Sequence, residues 1–244
     1  MPSFRIQIAG CVAEVNAMFD STERFCAAFR CEIPADFGVT ISPEDIAFER
    51  EKSARENALE GLPERQYPDS YLETIAVQRK IAEKLFDYDV LLFHGSVVAV
   101  DGLAYLFTAK SGTGKSTHTR LWREVFGNRV TVINDDKPFL QIKNGQAIAC
   151  GSPWNGKHGL GENVQVPLRA ICILERGDKN RIEEIKASEA VFMLLQQSNR
   201  PLDRGKMPRY LDLVDQLSRA VRFYRLECNM KQEAAWTAYE TMSK

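Results

Sequence analysis

The stretch from Phe107 to Thr117, FTAKSGTGKST, constrains this chain more than any other. It carries the close of the pattern Gly, four residues, Gly, Lys, Ser or Thr, in which successive backbone N–H groups cradle phosphate oxygens. Ala109 stands where the first glycine belongs. Gly112 and Gly114 allow the backbone torsions such a cradle needs, and Lys115 supplies a point charge for terminal phosphates. Ser116 is placed to ligate magnesium through its hydroxyl. The first glycine serves chiefly to let the chain turn tightly, so alanine, the smallest replacement, suffices if φ there is negative. A loop of this kind works between a strand and a helix, and both are predicted. LAYLFTA precedes it, and THTRLWREVFG follows with Leu121, Val125 and Phe126 on one face and Gly127 as terminator. The positive end of that helix then points at the anion. Ala109, Lys110, Ser111, Gly112, Thr113, Gly114, Lys115, Ser116 and Thr117 are therefore the candidate phosphate-binding set.

The strand before the loop has a partner. LLFHGSVVAV is joined to it by Asp101-Gly102, and Asp-Gly between apolar runs marks a tight antiparallel hairpin because both turn residues need positive φ. Counting outward from Val100 facing Leu103 sets His94 opposite Ala109, with Cβ atoms about 5 Å apart. His94 is thus a candidate catalytic residue beside the loop.

Next comes RVTVINDDKPFLQI, a β-branched strand ending in Asp135-Asp136. Strand ends of α/β sheets line ligand crevices, and adjacent aspartates there point to opposite faces, so one can ligate a metal while the other approaches an acceptor hydroxyl. Asn144-Gly145 predicts a second hairpin, and the same counting brings Pro153 and Trp154 back beside Asp136 and Asp135. The segment SPWNGKHGLGEN then borders the site. Lys157 and His158 in it are candidate acceptor or phosphate contacts, while a glycine-rich loop anchored by a tryptophan accounts for the same residues equally well.

Elsewhere the chain reads as ordinary α/β protein. Residues 4–17 and 37–49 alternate loosely with Gly and Pro breaks, as a small β-rich region does; 50–69 reads as a polar linker with some helix. Leu72, Ile75, Ala76, Ile81, Ala82 and Leu85 follow helical spacing, so an amphipathic helix opens the second domain and the predicted division is 1–69 and 70–244. A buried strand is predicted in VPLRAICILERG, helices over 188–198 and 208–219, a late strand in AVRFYRLEC, and a last helix capped by Asn229. Arg200, Arg204, Lys206 and Arg209 form either a solvated loop or an anion-receiving lid, the solvated loop being the simpler reading.

With 244 residues and a net charge of −1, composition gives no bulk reason to bind nucleic acid or membrane. The start lacks a signal peptide's basic region and unbroken apolar stretch, and no run reaches the ~18 apolar residues of a membrane span, so a cytoplasmic protein is expected. The six cysteines form no CxxC pair and there are three histidines, which argues against a disulfide framework or a histidine-rich metal site.

His94-Gly95, the loop AKSGTGKST fifteen residues on, a strand ending Asp135-Asp136, and Gly159-Leu160-Gly161 before another apolar strand resemble the catalytic domain of HPr kinase/phosphorylase. The antiparallel strand ahead of the loop is typical of that superfamily, which includes ATP-dependent phosphoenolpyruvate carboxykinase. The likeness spans roughly residues 88–177 and, more faintly, the final strand and helix. It implies an α/β, mixed-sheet P-loop kinase core with a small, mainly β N-terminal region. It further implies that Ala109 to Thr117 hold the phosphates of ATP, that Ser116 and one aspartate hold Mg²⁺, and that His94 and the other aspartate flank the transferring phosphoryl group. The assignment adopted is Asp135 as base and Asp136 as metal ligand. Relatives often assemble as rings, so a homo-oligomer is also implied.

The departures bear on the acceptor. Thr117 stands where HPr kinases commonly carry an acidic residue, His158 where they often have Arg, and a Pro-Val-Arg-Pro-Gly-Arg-Asn-like carboxy-terminal segment is absent. This points away from HPr and toward the smaller relatives that act as serine kinases on precursor peptides. The expectation is a Mg²⁺- and ATP-dependent kinase acting on Ser of a peptide or protein. The alternatives are a small-molecule kinase or carboxykinase-like phosphoryl transferase, and a nucleotide-binding regulator without turnover.

Overall fold

The computed structural model describes every residue except Glu60, Leu62, Glu64, Ser111 and Lys157, and divides into two units, Met1–Leu85 and Phe86–Lys244. In the first, β1 (Ser3–Ile8) and β2 (Cys11–Asn16) form an antiparallel hairpin, and β3 (Phe37–Thr40) joins β2 in parallel. Helices α1 (Asp20–Phe25), α2 (Pro43–Leu59) and α3 (Asp69–Leu85) accompany this sheet.

Two expectations change here. Residues 43–59, read partly as strand and partly as linker, form α2. Pro43 suits the first helical turn, and the Asp45 carboxylate accepts from the Ser42 N–H at 3.0 Å. Its face is so polar that only Ile46 and Glu49 are buried, which is why apolar periodicity does not reveal it. Helix α3, read as the opening of the second domain, belongs to the first unit. Its buried Glu73 accepts from the N–H groups of Met18 and Phe19 and from the Thr22 hydroxyl, while Arg79 and Lys80 pair with Glu49 and Asp45 of α2.

The second unit is built on a nine-stranded mixed sheet. Its strands are β4 (Val90–Leu92), β5 (Ser96–Val100), β6 (Leu103–Thr108), β7 (Val130–Asn134), β8 (Phe139–Lys143), β9 (Gln146–Cys150), β10 (Gln165–Arg176), β11 (Arg181–Ile185) and β12 (Arg222–Cys228). The order runs β4-β8-β9-β10-β6-β5-β7, and β12 also pairs with β10 and carries β11. Strand β10 is long enough to serve two neighbourhoods. Its start pairs antiparallel with β9, and its remainder lies parallel to β6 and β12.

Helices cover both faces of β6. Tyr105 and Phe107 pack with Leu121, Trp122 and Phe126 of α4 (Lys115–Phe126) and with Ala235 and Met242 of α7 (Glu233–Met242). Ala104 and Leu106 pack with Leu194 of α5 (Ala187–Gln197) and Leu213 and Leu217 of α6 (Met207–Ala220). A strand buried on both faces reads as a continuous apolar run, as LAYLF does. The predicted single strand over 91–100 is interrupted at Phe93–Gly95, and the last helix starts at Glu233, later than an Asn229 cap implied. Among the described residues no helix is long and apolar enough to cross a membrane.

Candidate functional site

Three neighbouring strands deliver the candidate residues to one edge of the sheet. Strand β6 ends at Thr108 and passes into the glycine loop; β7 ends at Asn134 and passes into Asp135-Asp136. Strand β5 is antiparallel to both, with Ser96 facing Phe107 and Val97 facing Asn134. Its start, preceded by His94-Gly95, therefore lies at that same edge. The hairpin register counted from Asp101-Gly102 is the one observed, and it is extended past the ladder by the Thr108 hydroxyl donating to the His94 carbonyl at 3.1 Å.

The loop has the backbone its sequence demands. Gly112 and Gly114 take φ of 75° and 126°, values that favour glycine, whereas Ala109 is not among the residues with positive φ. Its methyl is buried in the core with Phe107 and Trp122. Helix α4 starts at Lys115, whose Nζ donates to the Ala109 carbonyl at 3.2 Å, and Ser116 and Thr117 follow in its first turn. Arg176, at the end of β10, donates to the carbonyls of Gly112 and Thr113 and so fixes the outer side of the loop. Ser111 lies outside the described residues.

His94 and Asp136 meet, with Nε2 3.3 Å from Oδ1. The hydrogen bond to Asp136 pulls the His94 pKa up, but burial and the charges of Lys137 and Lys115 outweigh it, and the net shift is downward. At neutral pH the imidazole is therefore uncharged and donates to the carboxylate. Burial pushes the Asp136 pKa up, yet the bond from His94 and the positive charges of Lys137 and Lys115 prevail and hold it ionised. Burial likewise lowers the Lys115 pKa, against the opposing pull of Asp136.

Asp135 is different. It is 3% exposed; one carboxylate oxygen accepts from the Gly156 N–H at 2.6 Å, and the other, Oδ2, has no partner among the described residues. Burial raises its pKa against that N–H bond. The dipeptide thus holds one carboxylate ready to take a proton and one kept ionised.

The covering segment departs from simple counting. Ladder pairing ends at Phe139 facing Cys150, and the chain then bends so that Gly156, not Trp154, reaches Asp135. Trp154 is buried edge-on against Phe139 as an anchor. His158 is exposed and electrostatically coupled to Asp135, while Lys157 lies outside the described residues. Gly151 roots the segment, since a Cβ there would stand 1.9 Å from the Glu162 carbonyl oxygen. Gly151→Ala is accordingly expected to cost at least about 2 kcal/mol, read as a shift of the urea midpoint. An unshifted midpoint would mean the segment yields freely.

Two positioning groups escaped the sequence reading. Asn134 is fully buried; its side-chain oxygen accepts from the N–H groups of Asp136 and Lys137 at 2.8 and 2.6 Å, and its amide donates to Ser152 and Asn155. This Asx turn sets the direction of both aspartates, and an Asn at a strand end before Asp-Asp is the local signal for it. Arg176 has no comparable local signal. Two of the four basic loop residues are paired by their own surroundings, Lys206 with Asp87 and Arg209 with Asp89 and Asp212.

Fold and site together define an α/β protein with a mixed sheet, in which a glycine loop and helix start face a His-Asp pair at one sheet edge. The chain belongs to the family described as SynChlorMet cassette protein ScmC, whose model matches residues 66–234. No curated protein matches it. Among solved structures it is similar to the HPr(Ser) kinase/phosphatase from Coxiella burnetii, at 15% identity and a TM-score of 0.37, over 63% of this chain and 99% of that one.

Proposed function

We propose that this protein is an ATP- and Mg²⁺-dependent phosphotransferase that moves the γ-phosphate to a hydroxyl, that of Ser in a peptide or protein. The observation that carries the reading is the convergence of Lys115, the glycine loop, His94 and the two aspartates at one sheet edge, with His94 and Asp136 in contact. The choice of Ser rests on the sequence resemblance to the small serine kinases.

The donor set fits the cation. Ser116 and Asp136 offer oxygen only, and among the described residues no cluster of three or more His, Cys, Asp or Glu could hold a metal unaided. That suits Mg²⁺, which takes one or two carboxylates and fills its shell with phosphate and water oxygens. When bound, it supplies neutralisation of phosphate charge.

Phosphoryl transfer asks the protein mainly for placement and charge. The loop N–H groups and the α4 terminus hold the phosphates, and Lys115 offsets the charge that grows on the leaving oxygen. The acceptor oxygen bonds to the γ-phosphorus as the bond to the bridging oxygen breaks, and ADP departs. Asp135 takes the hydroxyl proton, its raised pKa suiting that task. Its Oδ2, without a partner among the described residues, is the atom left for that proton, while the Gly156 N–H holds the other oxygen in place. His94 orients Asp136.

The test is to supply Mg²⁺, γ-labelled ATP and size-fractionated extract from the source cell to the purified protein. Label in phosphoserine of a peptide or protein fraction is expected, and Asp135→Asn should lower it by about 10²-fold or more. Label confined to small molecules would make the acceptor a metabolite, and absence of ADP formation despite ATP binding would overturn the kinase reading.

A further inference from the structure

Helix α5 breaks a rule that its neighbour keeps. Helix α6 buries Tyr210, Leu213, Val214 and Leu217 and exposes Asp212, Asp215 and Arg219 on its outer side, as an amphipathic surface helix does. Helix α5 buries Ala190 and Leu194, yet its outer side carries Val191 and Phe192, the latter 68% exposed, with Leu195 half-buried beside them. The single charge on it is Glu189, whose carboxylate accepts from the Lys186 N–H at 3.2 Å and so caps the helix. A helix that is apolar on both sides is ordinarily covered on both.

Where α5 ends points to what covers it. The carbonyl of Gln197, its last residue, accepts from the His94 N–H at 2.7 Å; Ser198 bridges to Phe93, and the Asn199 N–H donates to the Leu92 carbonyl at 2.9 Å. The helix is thus tied by its backbone to the segment that carries His94 to the site. Phe192 stands about 7.5 Å from Gln197 along the helix axis. Just past the tie come Arg200 and Arg204, both exposed and neither with an ion pair among the described residues. An apolar face and two uncompensated positive charges therefore adjoin the candidate site together.

We propose that the outer face of α5, with Arg200 and Arg204, docks the segment of the acceptor that flanks its Ser. That segment is amphipathic: apolar where it meets Val191 and Phe192, acidic where it meets the arginines. The proposal rests on the reading of the protein as a Ser kinase and adds the chemistry by which the acceptor is chosen. The apolar contact supplies affinity, while the arginine pair sets direction and rejects basic partners. At roughly 3.3–3.6 Å per residue, an extended chain covers the distance from Gln197 to Phe192 in two or three residues, so the anchors lie close to the acceptor Ser in sequence.

The test uses Ser peptides of defined composition, labelled by the full chain with γ-labelled ATP and Mg²⁺. One set carries a pair of Leu and a pair of Asp within about five residues of the Ser, on either side. A second set replaces the Leu by Ala, and a third replaces the Asp by Lys. Wild type should label the first set at least about tenfold better in kcat/KM than either other set, with the difference in KM. Phe192→Gln changes a solvent-facing position and should raise KM for the first set about five- to tenfold with kcat unchanged. Arg200→Glu combined with Arg204→Glu should move the preference from the Asp set to the Lys set, which loss of a merely structural contact would not do. Equal labelling of all three sets by wild type, or an unaltered preference in both variants, would overturn the proposal while leaving the kinase reading standing. So would sedimentation of wild type as a dimer that Phe192→Gln returns to monomer, because a second copy then covers the face. If wild type labels no peptide of any set, the Ser kinase reading fails and the proposal falls with it.

Discussion

Lys115→Ala is expected to lower phosphoryl transfer by about 10²–10³-fold or more while leaving Tm within about 3 °C of wild type. The two halves of this outcome have the same cause. Lys115 is half-buried at the first turn of α4, with burial lowering its pKa and, among the described residues, the Ala109 carbonyl as its one hydrogen-bond partner. One hydrogen bond from an ammonium returns little more than the desolvation it costs, so the fold gains little from the charge. A transferring phosphoryl group, by contrast, meets that charge in a site already partly stripped of water, where each interaction is strengthened. Lys115→Arg should restore only part of the activity, because a planar fork does not replace a compact point charge. Near-normal transfer in Lys115→Ala would sink the mechanism; a lost melting transition would show that the lysine holds the loop itself.

Local chemistry decided what could be read from the residues. Both tight hairpins were visible because Asp101-Gly102 and Asn144-Gly145 need positive φ at both turn positions, and all four residues have it. Once the first turn was fixed, period-two counting carried the register to Ser96 and Phe107 without further information. The loop and α4 were legible for a similar reason, since Gly112, Gly114 and Gly127 each sit where φ is positive.

What stayed hidden depends on partners distant in sequence. Counting from Asn144-Gly145 set Trp154 against Asp135, but no local rule says the ladder stops at Cys150, so the cover by Gly156 could not be read. Arg176 is 63 and 64 residues from the loop carbonyls it holds, and in sequence it looks like the charged end of a strand. Helix α2 was missed because it buries charge as much as apolar surface, its Glu49 meeting Arg79 of α3. The family match over residues 66–234 takes in the loop, the aspartates and His118 together.

Acid should destabilise the second unit through His118, by about 2 kcal/mol between pH 6.5 and 5. Burial brings the His118 pKa down from 6.5 to about 3. As pH falls below 6.5 the unfolded chain takes up a proton at this residue that the folded chain refuses, so stability is lost from 6.5 downward until about 3. The slope approaches 1.36 kcal/mol per pH unit. His94, also lowered, acts in the same direction. Asp135 opposes it, since its raised pKa relieves a penalty as the carboxyl protonates, while Asp136 and Asp101, both lowered, lose their contribution only below the ordinary carboxylate range. Comparing wild type with His118→Phe cancels the terms the two share. All three tryptophans, Trp122, Trp154 and Trp236, lie in this unit, so urea unfolding followed by tryptophan fluorescence reports it alone. The difference in unfolding free energy between the proteins should shrink by about 2 kcal/mol on going from pH 6.5 to 5. Parallel pH profiles would show that His118 takes up its proton in the folded state, at the cost of the Nε2 acceptor that Trp122 donates to.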